Sequence, residues 1–200
     1  MISTVVLAGS NPKTQKIDSK DQGSASPVVV TSDDAALDSI KYAGSVSAVE
    51  RKPGETWEQS IGVDKDFVHI MECAFLRTMT SDTLEVDPVE YIDEDTDPQR
   101  LKELGITKEY LKRMDGYELN NPEEDTILWK IDEDTEFIFA DWGRDFIIEE
   151  VPCNSIMVKT KDRELFRRYL TTYKNSKPGM PFFFEVENGV VKRIVEKLFA

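Results

Sequence analysis

The sequence predicts an α+β fold: mainly antiparallel β-sheet or a partly open small barrel, with an inserted short helix pair and one amphipathic helix in the C-terminal half. Three observations predict it. Short apolar segments with period-two alternation dominate after residue 40. Asn188-Gly189 between two of them is a strong hairpin signal. Strands and helices do not alternate as in βαβ units, which argues against a doubly wound parallel sheet.

The first strands are predicted from apolar runs at residues 40–49, 67–78 and 83–92. The run at 67–78 is typical of one long strand, and it carries His69, the only histidine of the chain. Pro88 interrupts the third run and predicts an edge or a bulge there, because proline cannot donate a ladder hydrogen bond.

A pair of short helices is predicted next. Asp97 is a good N-cap residue, and Pro98 suits the first helical position. Gly105 suits the left-handed residue that ends a helix, and Thr107 can cap a second helix directly afterwards. We therefore expect a helix pair inserted between strands.

Further strands are expected in the C-terminal half, at residues 117–120, 126–131 and 136–140, with weaker candidates at 146–151 and 155–158. The acidic run 132–134 is expected to form a turn between two of them. Thr160 is the expected N-cap of a helix with an apolar stripe of period 3.6. That stripe consists of Leu165, Phe166, Tyr169, Leu170 and Tyr173.

The terminal hairpin is the sharpest local prediction. Asn188 and Gly189 both tolerate the positive φ that a type I′ turn requires. Counting back from this turn gives three cross-strand pairs. They are Val186 with Val191, Glu185 with Lys192, and Phe183 with Ile194.

Composition limits the class of protein. The chain has 200 residues with 40% hydrophobic content, enough for one domain with a real core. Its formal net charge is -14, so its field repels nucleic acid and anionic membrane surfaces. It contains no run of about 18 apolar residues, the length that a membrane-spanning helix needs.

The N-terminal segment predicts an exported protein. Leu7-Ala8-Gly9-Ser10 resembles a bacterial lipoprotein lipobox, with Ser10 where the lipidated cysteine would stand. Residues 11–27 are almost free of apolar side chains, which is typical of a disordered tether. We expect residues 1–36 to be such a tether, a remnant of a lipoprotein signal and stalk, and residues 37–200 to form one folded domain. An accidental match and a frayed terminus are the alternative.

Cysteine and acidic patterns give no metal site. Cys73 and Cys153 lie in apolar segments and are expected to be buried thiols, with one long-range disulfide as the alternative. Neither has a second ligand at CxxC spacing. The acidic run from Asp93 to Asp97 has the start of an EF-hand loop, but Pro98 replaces its glycine and Leu104 its glutamate. No metal and no cofactor is expected.

The order of motifs from residue 84 onward resembles a family of exported or lipid-anchored proteins of Gram-positive, clostridia-like bacteria whose function is unknown. The resemblance implies structural roles for these segments and carries no catalytic residue. A second aromatic pair usual in that family is replaced here by Tyr117-Glu118-Leu119. The matching segments are LEVDPVEYI (84–92), RLKELGI (100–106), DGY (115–117), NP (121–122), DTEF (134–137), DW (141–142) and PFFFEVENGVV (181–191).

One exposed-looking feature is a candidate binding site. Trp142 stands at a predicted turn between Asp141 and Arg144, and tryptophan and arginine are enriched at binding hot spots. A tryptophan that caps the core is the structural alternative. The sequence offers no GxSxG motif and no catalytic constellation, and His69 is expected to be a strand residue with a satisfied hydrogen bond.

These observations favour an extracytoplasmic, cell-surface or secreted binding or accessory module without enzymatic activity. The alternative function is a carboxylate-based hydrolase of unfamiliar type, which would bring several carboxyls with raised pKa into one pocket. An accessory that pairs through an exposed strand edge is a third hypothesis. The expected partner is a protein or a carbohydrate, without nucleic acid, and with membrane contact only through a lost lipid anchor. We expect a monomer.

Overall fold

The computed structural model describes residues 46–123, 125–143, 145–146, 156–172 and 181–197. The expectations for the tether at 1–36, for Ser10, for Cys153 and for Arg144 lie outside these residues. The strands are β1 (Val46–Ala48), β2 (Glu72–Met79), β3 (Thr83–Pro88), β4 (Glu90–Asp93), β5 (Tyr117–Asn120), β6 (Ile127–Ala140), β7 (Met157–Thr160), β8 (Pro181–Glu187) and β9 (Val190–Glu196). The helices are α1 (Trp57–Ile61), α2 (Phe67–Ile70), α3 (Pro98–Leu104), α4 (Lys108–Arg113) and α5 (Arg163–Thr172).

Five strands close a small barrel in the order β6, β3, β2, β8, β9. Four of its neighbouring pairs are antiparallel, and β9 returns to β6 in a parallel pair that closes the ring. β7 pairs with the C-terminal half of β6, and β1 pairs with β7. The predicted α+β class, with a mainly antiparallel sheet or a partly open small barrel, is confirmed, and the barrel is closed. The parallel closure was not predicted.

Two hydrophobic clusters use opposite faces of the barrel wall. One contains residues from all five barrel strands together with α5, so it fills the interior. The other lies outside the wall, beneath α1, α2 and the β4–β5 ribbon. Three consecutive phenylalanines follow this alternation: Phe182 and Phe184 belong to the interior cluster and Phe183 to the outer one. Burying such a side chain contributes about 1.5–3 kcal/mol.

The helix pair α3–α4 lies between β4 and β5 in the chain, as predicted. Asp97 accepts hydrogen bonds from the Gln99 and Arg100 backbone N–H groups, and Gly105 ends α3 at φ 69°. Thr107 caps α4 through the Tyr110 N–H. Both local predictions are confirmed, because caps depend on chemistry within one helical turn.

The segment 67–78 was wrongly predicted as one strand. Residues Phe67–Ile70 form helix α2, and β2 begins only at Glu72. His69 is therefore a helix residue. A short apolar run has no period long enough to separate a helical turn from a buried strand. Here the Asp64 side chain accepts the Asp66 N–H, and the resulting turn leads into the helix.

The acidic run 132–134 does not separate two strands. β6 is continuous through it, with a register shift against β9 between Ile131 and Glu136. The expected turn chemistry is present, since Asp132 Oδ1 accepts the Asp134 N–H at 3.0 Å. The Thr135 hydroxyl donates to the Val191 carbonyl at 2.8 Å. This hydrogen bond joins the irregular part of β6 to β9, the strand that closes the barrel.

The N-cap of α5 is Asp162, whose side chain accepts the Glu164 and Leu165 N–H groups; the prediction of Thr160 was wrong by two residues. Thr160 instead accepts the Asp162 N–H. Four of the five predicted stripe residues are buried, and Tyr173 lies outside the described residues. The described part of the chain contains no helix long and apolar enough to cross a membrane.

The terminal hairpin has the predicted turn, with φ 51° at Asn188 and 77° at Gly189. The pair Val186–Val191 is confirmed. Beyond it the predicted register was wrong by one residue: Glu185 faces Arg193 instead of Lys192, and Phe183 faces Val195 instead of Ile194. A bulge at Lys192 lets Val191 and Ile194, three residues apart, both enter the interior cluster.

Candidate functional site

The sequence-predicted site around Trp142 is only partly assembled in the described residues. Asp141 is fully buried, and its two carboxylate oxygens accept the N–H groups of Asp145 at 2.8 Å and Phe146 at 2.9 Å. This side chain therefore holds the loop. Trp142 points outward with 58% of its surface exposed, which excludes the core-capping alternative. Ligand binding at Trp142 stays a prediction.

A different feature brings chemically active side chains together. A cavity of about 380 Å³ lies at one end of the β4–β5 ribbon, beside α4 and Lys197, the residue that directly follows β9. We call it the tyrosine pocket. It is lined by Tyr91, Asp93, Glu94, Asp95, Leu111, Lys112, Asp115, Gly116, Tyr117 and Lys197.

The ribbon places the two tyrosines side by side. Antiparallel pairing puts Tyr117 opposite Asp93, so Tyr91 is its diagonal neighbour on the same face. Their rings stack with centroids 5.7 Å apart and planes 15° apart. Asp115 and Gly116 both have positive φ, 55° and 85°, in the turn between α4 and β5 that leads into Tyr117.

Lys197 reaches this aromatic pair from the end of β9. Its Nζ donates a 2.5 Å hydrogen bond to the Tyr91 hydroxyl and lies 4.5 Å from the Tyr91 ring centroid. Burial lowers the pKa of Lys197, although Asp93 and Glu58 oppose that shift. Burial raises the pKa of Tyr91, and Asp93 raises it further. The Tyr91 phenol is thus neutral at physiological pH, and its oxygen accepts the hydrogen bond from Lys197.

His69 lies at the edge of the pocket. Its Nε2 is 3.3 Å from Asp93 Oδ2, and its ring meets the Tyr91 ring in a T-shaped contact at 6.2 Å. The other oxygen of Asp93 accepts the N–H groups of Asp95 and Thr96. Asp93, which lines the pocket, is therefore held by contacts on both oxygens.

No sequence pattern predicts that these four side chains meet. Tyr91 and Tyr117 lie in two segments of the family resemblance, which implied structural roles only, and Lys197 stands in no motif. The wrong strand prediction for residues 67–78 placed His69 in a strand instead of in helix α2.

Two further titratable groups with raised pKa values lie outside the lining of the tyrosine pocket. Burial raises the pKa of Glu196, but this side chain is bonded to Tyr169 of the interior cluster. Burial also raises the pKa of the Cys73 thiol to about 12, so this free cysteine is protonated and unreactive. Among the described residues, no group of three or more His, Cys, Asp or Glu side chains could hold a metal ion.

No protein-family model, no curated protein and no solved structure matches this chain.

Proposed function

We propose that this domain is a non-enzymatic binding module that acts outside the cytoplasm, at the cell surface or secreted, and that the tyrosine pocket holds its ligand. One observation carries the proposal: Lys197 and Tyr91, two groups with shifted pKa, are hydrogen-bonded to each other in the wall of a concave site. Titratable groups with shifted pKa values cluster at functional sites, above all where they lie in a cleft.

The pocket is held in a fixed shape before any ligand arrives. Two paired strands supply Tyr91 and Tyr117, and the stacked rings restrict each other. Asp93 is bonded on both oxygens. A preformed site loses little side-chain entropy on binding, so a few polar contacts can give useful affinity.

The location and the partner class rest on the sequence. The polar segment 11–27 after Leu7-Ala8-Gly9-Ser10 supports export, and the net charge of -14 argues against nucleic acid. We propose a protein or carbohydrate partner, a monomeric state, and membrane contact only through a lost lipid anchor. Fractionation of the source cells tests the location: recovery at the surface or in the medium supports it, and recovery in the cytosol contradicts it.

The binding site is tested by recording amide chemical shifts of the labelled protein during titration with a panel of polar small molecules. We expect the shifts to cluster at Tyr91, Tyr117 and Lys197, and to vanish in Tyr117→Ala. Tyr110→Phe is the control, because Tyr110 is half-buried on α4 outside the pocket lining and loses only its hydroxyl contact with Glu118. Shifts centred on Trp142, or no binder in the panel, would refute the assignment to this pocket.

A further inference from the structure

We propose that the tyrosine pocket selects small organic cations, namely compounds that carry a primary or quaternary ammonium group. This inference deepens the proposed function and rests on it. It is carried by three features of the pocket: an aromatic surface that already holds an ammonium group, a surplus of carboxylates, and the position of Lys197.

The aromatic surface is suited to a cation. The Lys197 ammonium lies 4.5 Å from the Tyr91 ring centroid, within the range in which ring faces attract positive charge. The Tyr117 ring, half-buried and stacked 5.7 Å from Tyr91, continues this surface into the cavity. Sites that recognise ammonium groups place them against the faces of aromatic rings.

The charges around the cavity favour the same ligand. Four carboxylates line it, against the ammonium groups of Lys112 and Lys197. Asp93 lies deeper than the exposed Glu94, Asp95 and Asp115. The whole chain adds a formal charge of -14, and a concave site concentrates that field. An anionic ligand would be repelled by the lining carboxylates and by the net charge of the chain.

Lys197 then acts as a tethered competitor. Its ammonium occupies part of the ring surface that the cationic ligand would use, and it repels a second positive charge at that place. Removing it should therefore strengthen the binding of a cation. For an anionic ligand the same change would remove the main attractive group and weaken binding. The sign of this effect separates the two ligand classes.

The experiment measures choline and inorganic phosphate binding to the full chain by calorimetry at low salt, in the wild type, Lys197→Met and Lys192→Met. Lys192→Met removes the same charge on the barrel surface, next to Asp132, and so controls for net charge. We expect choline to bind the Lys197→Met variant about 2-fold to 5-fold more tightly than the control, which corresponds to the 0.5–1 kcal/mol of one exposed cation–π contact. Tyr117→Leu should weaken choline binding, and phosphate should bind none of them.

Other results would overturn the inference. If choline binds the Lys197→Met and Lys192→Met variants equally, only the net charge of the chain matters, and the position of Lys197 in the pocket does not. Phosphate binding that disappears in Lys197→Met would make this an anion site, and the proposed binding function would stand. If neither probe binds, the inference fails, and the amide-shift screen decides separately whether the pocket binds anything. If Lys197→Met folds poorly, Lys112→Met also removes an ammonium group from the pocket lining. It then tests whether the affinity for choline rises or falls.

Discussion

The Tyr169 hydroxyl donates a 2.6 Å hydrogen bond to Oε2 of Glu196, and the Ala140 N–H donates to the same oxygen at 2.7 Å. Glu196 is 2% exposed, so a carboxyl group sits among apolar side chains at the end of β9. Hydrogen bonds to an ionised group contribute about 1.5–3 kcal/mol each, and the two donors only partly offset the cost of burial. Burial therefore dominates, and the pKa of Glu196 is raised.

This raised pKa predicts a pH-dependent stability. The folded state binds the Glu196 proton more tightly than the unfolded chain does. Above the folded pKa the buried side chain is charged, and the free energy of unfolding is lowered by the full cost of burying that charge. This cost disappears as the pH falls toward the unfolded value of about 4.3. Glu196→Gln should raise the free energy of unfolding at pH 8, and this gain should shrink at pH 5. Urea denaturation at both pH values measures it.

Glu187→Gln, at the exposed end of the same hairpin, is the matched control. It should change the free energy of unfolding by less than about 0.5 kcal/mol at either pH. A gain from Glu196→Gln that is the same at pH 8 and pH 5 would contradict a titrating buried carboxyl.

Local chemistry explains which parts of the fold were predictable. The caps at Asp97 and Gly105 and the turn at Asn188-Gly189 depend on residues within four positions, and each was predicted correctly. The barrel closure depends on β6 meeting β9, about sixty residues later, and no local pattern encodes that pairing. The bulge at Lys192 follows from the closed interior, which requires both Val191 and Ile194 inside.

The candidate site was not predictable for the same reason. Tyr91 and Tyr117 are adjacent only because the ribbon pairs across the helix pair, and Lys197 reaches them only after the barrel has closed. Asp141 shows the opposite error. Beside an exposed tryptophan it resembled a ligand contact, yet its carboxylate is consumed by two backbone N–H groups.

The buried ion pair between Arg77 and Asp87 predicts an asymmetric response to mutation. Asp87 is 1% exposed and is bonded to Arg77 and to Asn121 Nδ2, whereas the Arg77 side chain is 38% exposed. Arg77→Met leaves a buried carboxylate with one donor and should cost about 3–5 kcal/mol. Asp87→Asn leaves a guanidinium that can reach water, so it should cost less. Chemical denaturation of both variants at pH 7 measures the difference, and equal losses would contradict it.

The hairpin turn predicts a backbone effect that is free of steric contacts. A Cβ atom at Gly189 would meet nothing within 4 Å, but φ there is 77°. Gly189→Ala should therefore destabilise the domain by about 1–2 kcal/mol through left-handed backbone strain alone. Asn188→Gly keeps the turn permissive and should be nearly neutral. Thermal unfolding of both proteins measures this, and a neutral Gly189→Ala would show that the turn opens without cost.

In the loop at Asp141 and Trp142, the buried Asp141 side chain holds the backbone, whereas the Trp142 side chain is exposed. Asp141→Ala would leave two N–H groups without their acceptor, one of them on the buried Phe146, and should cost about 1–3 kcal/mol in the free energy of unfolding. Trp142→Ala removes an exposed ring and should change it by less than about 0.5 kcal/mol. If Trp142→Ala destabilises as strongly as Asp141→Ala, the ring belongs to the core packing of the loop and is not available for a ligand.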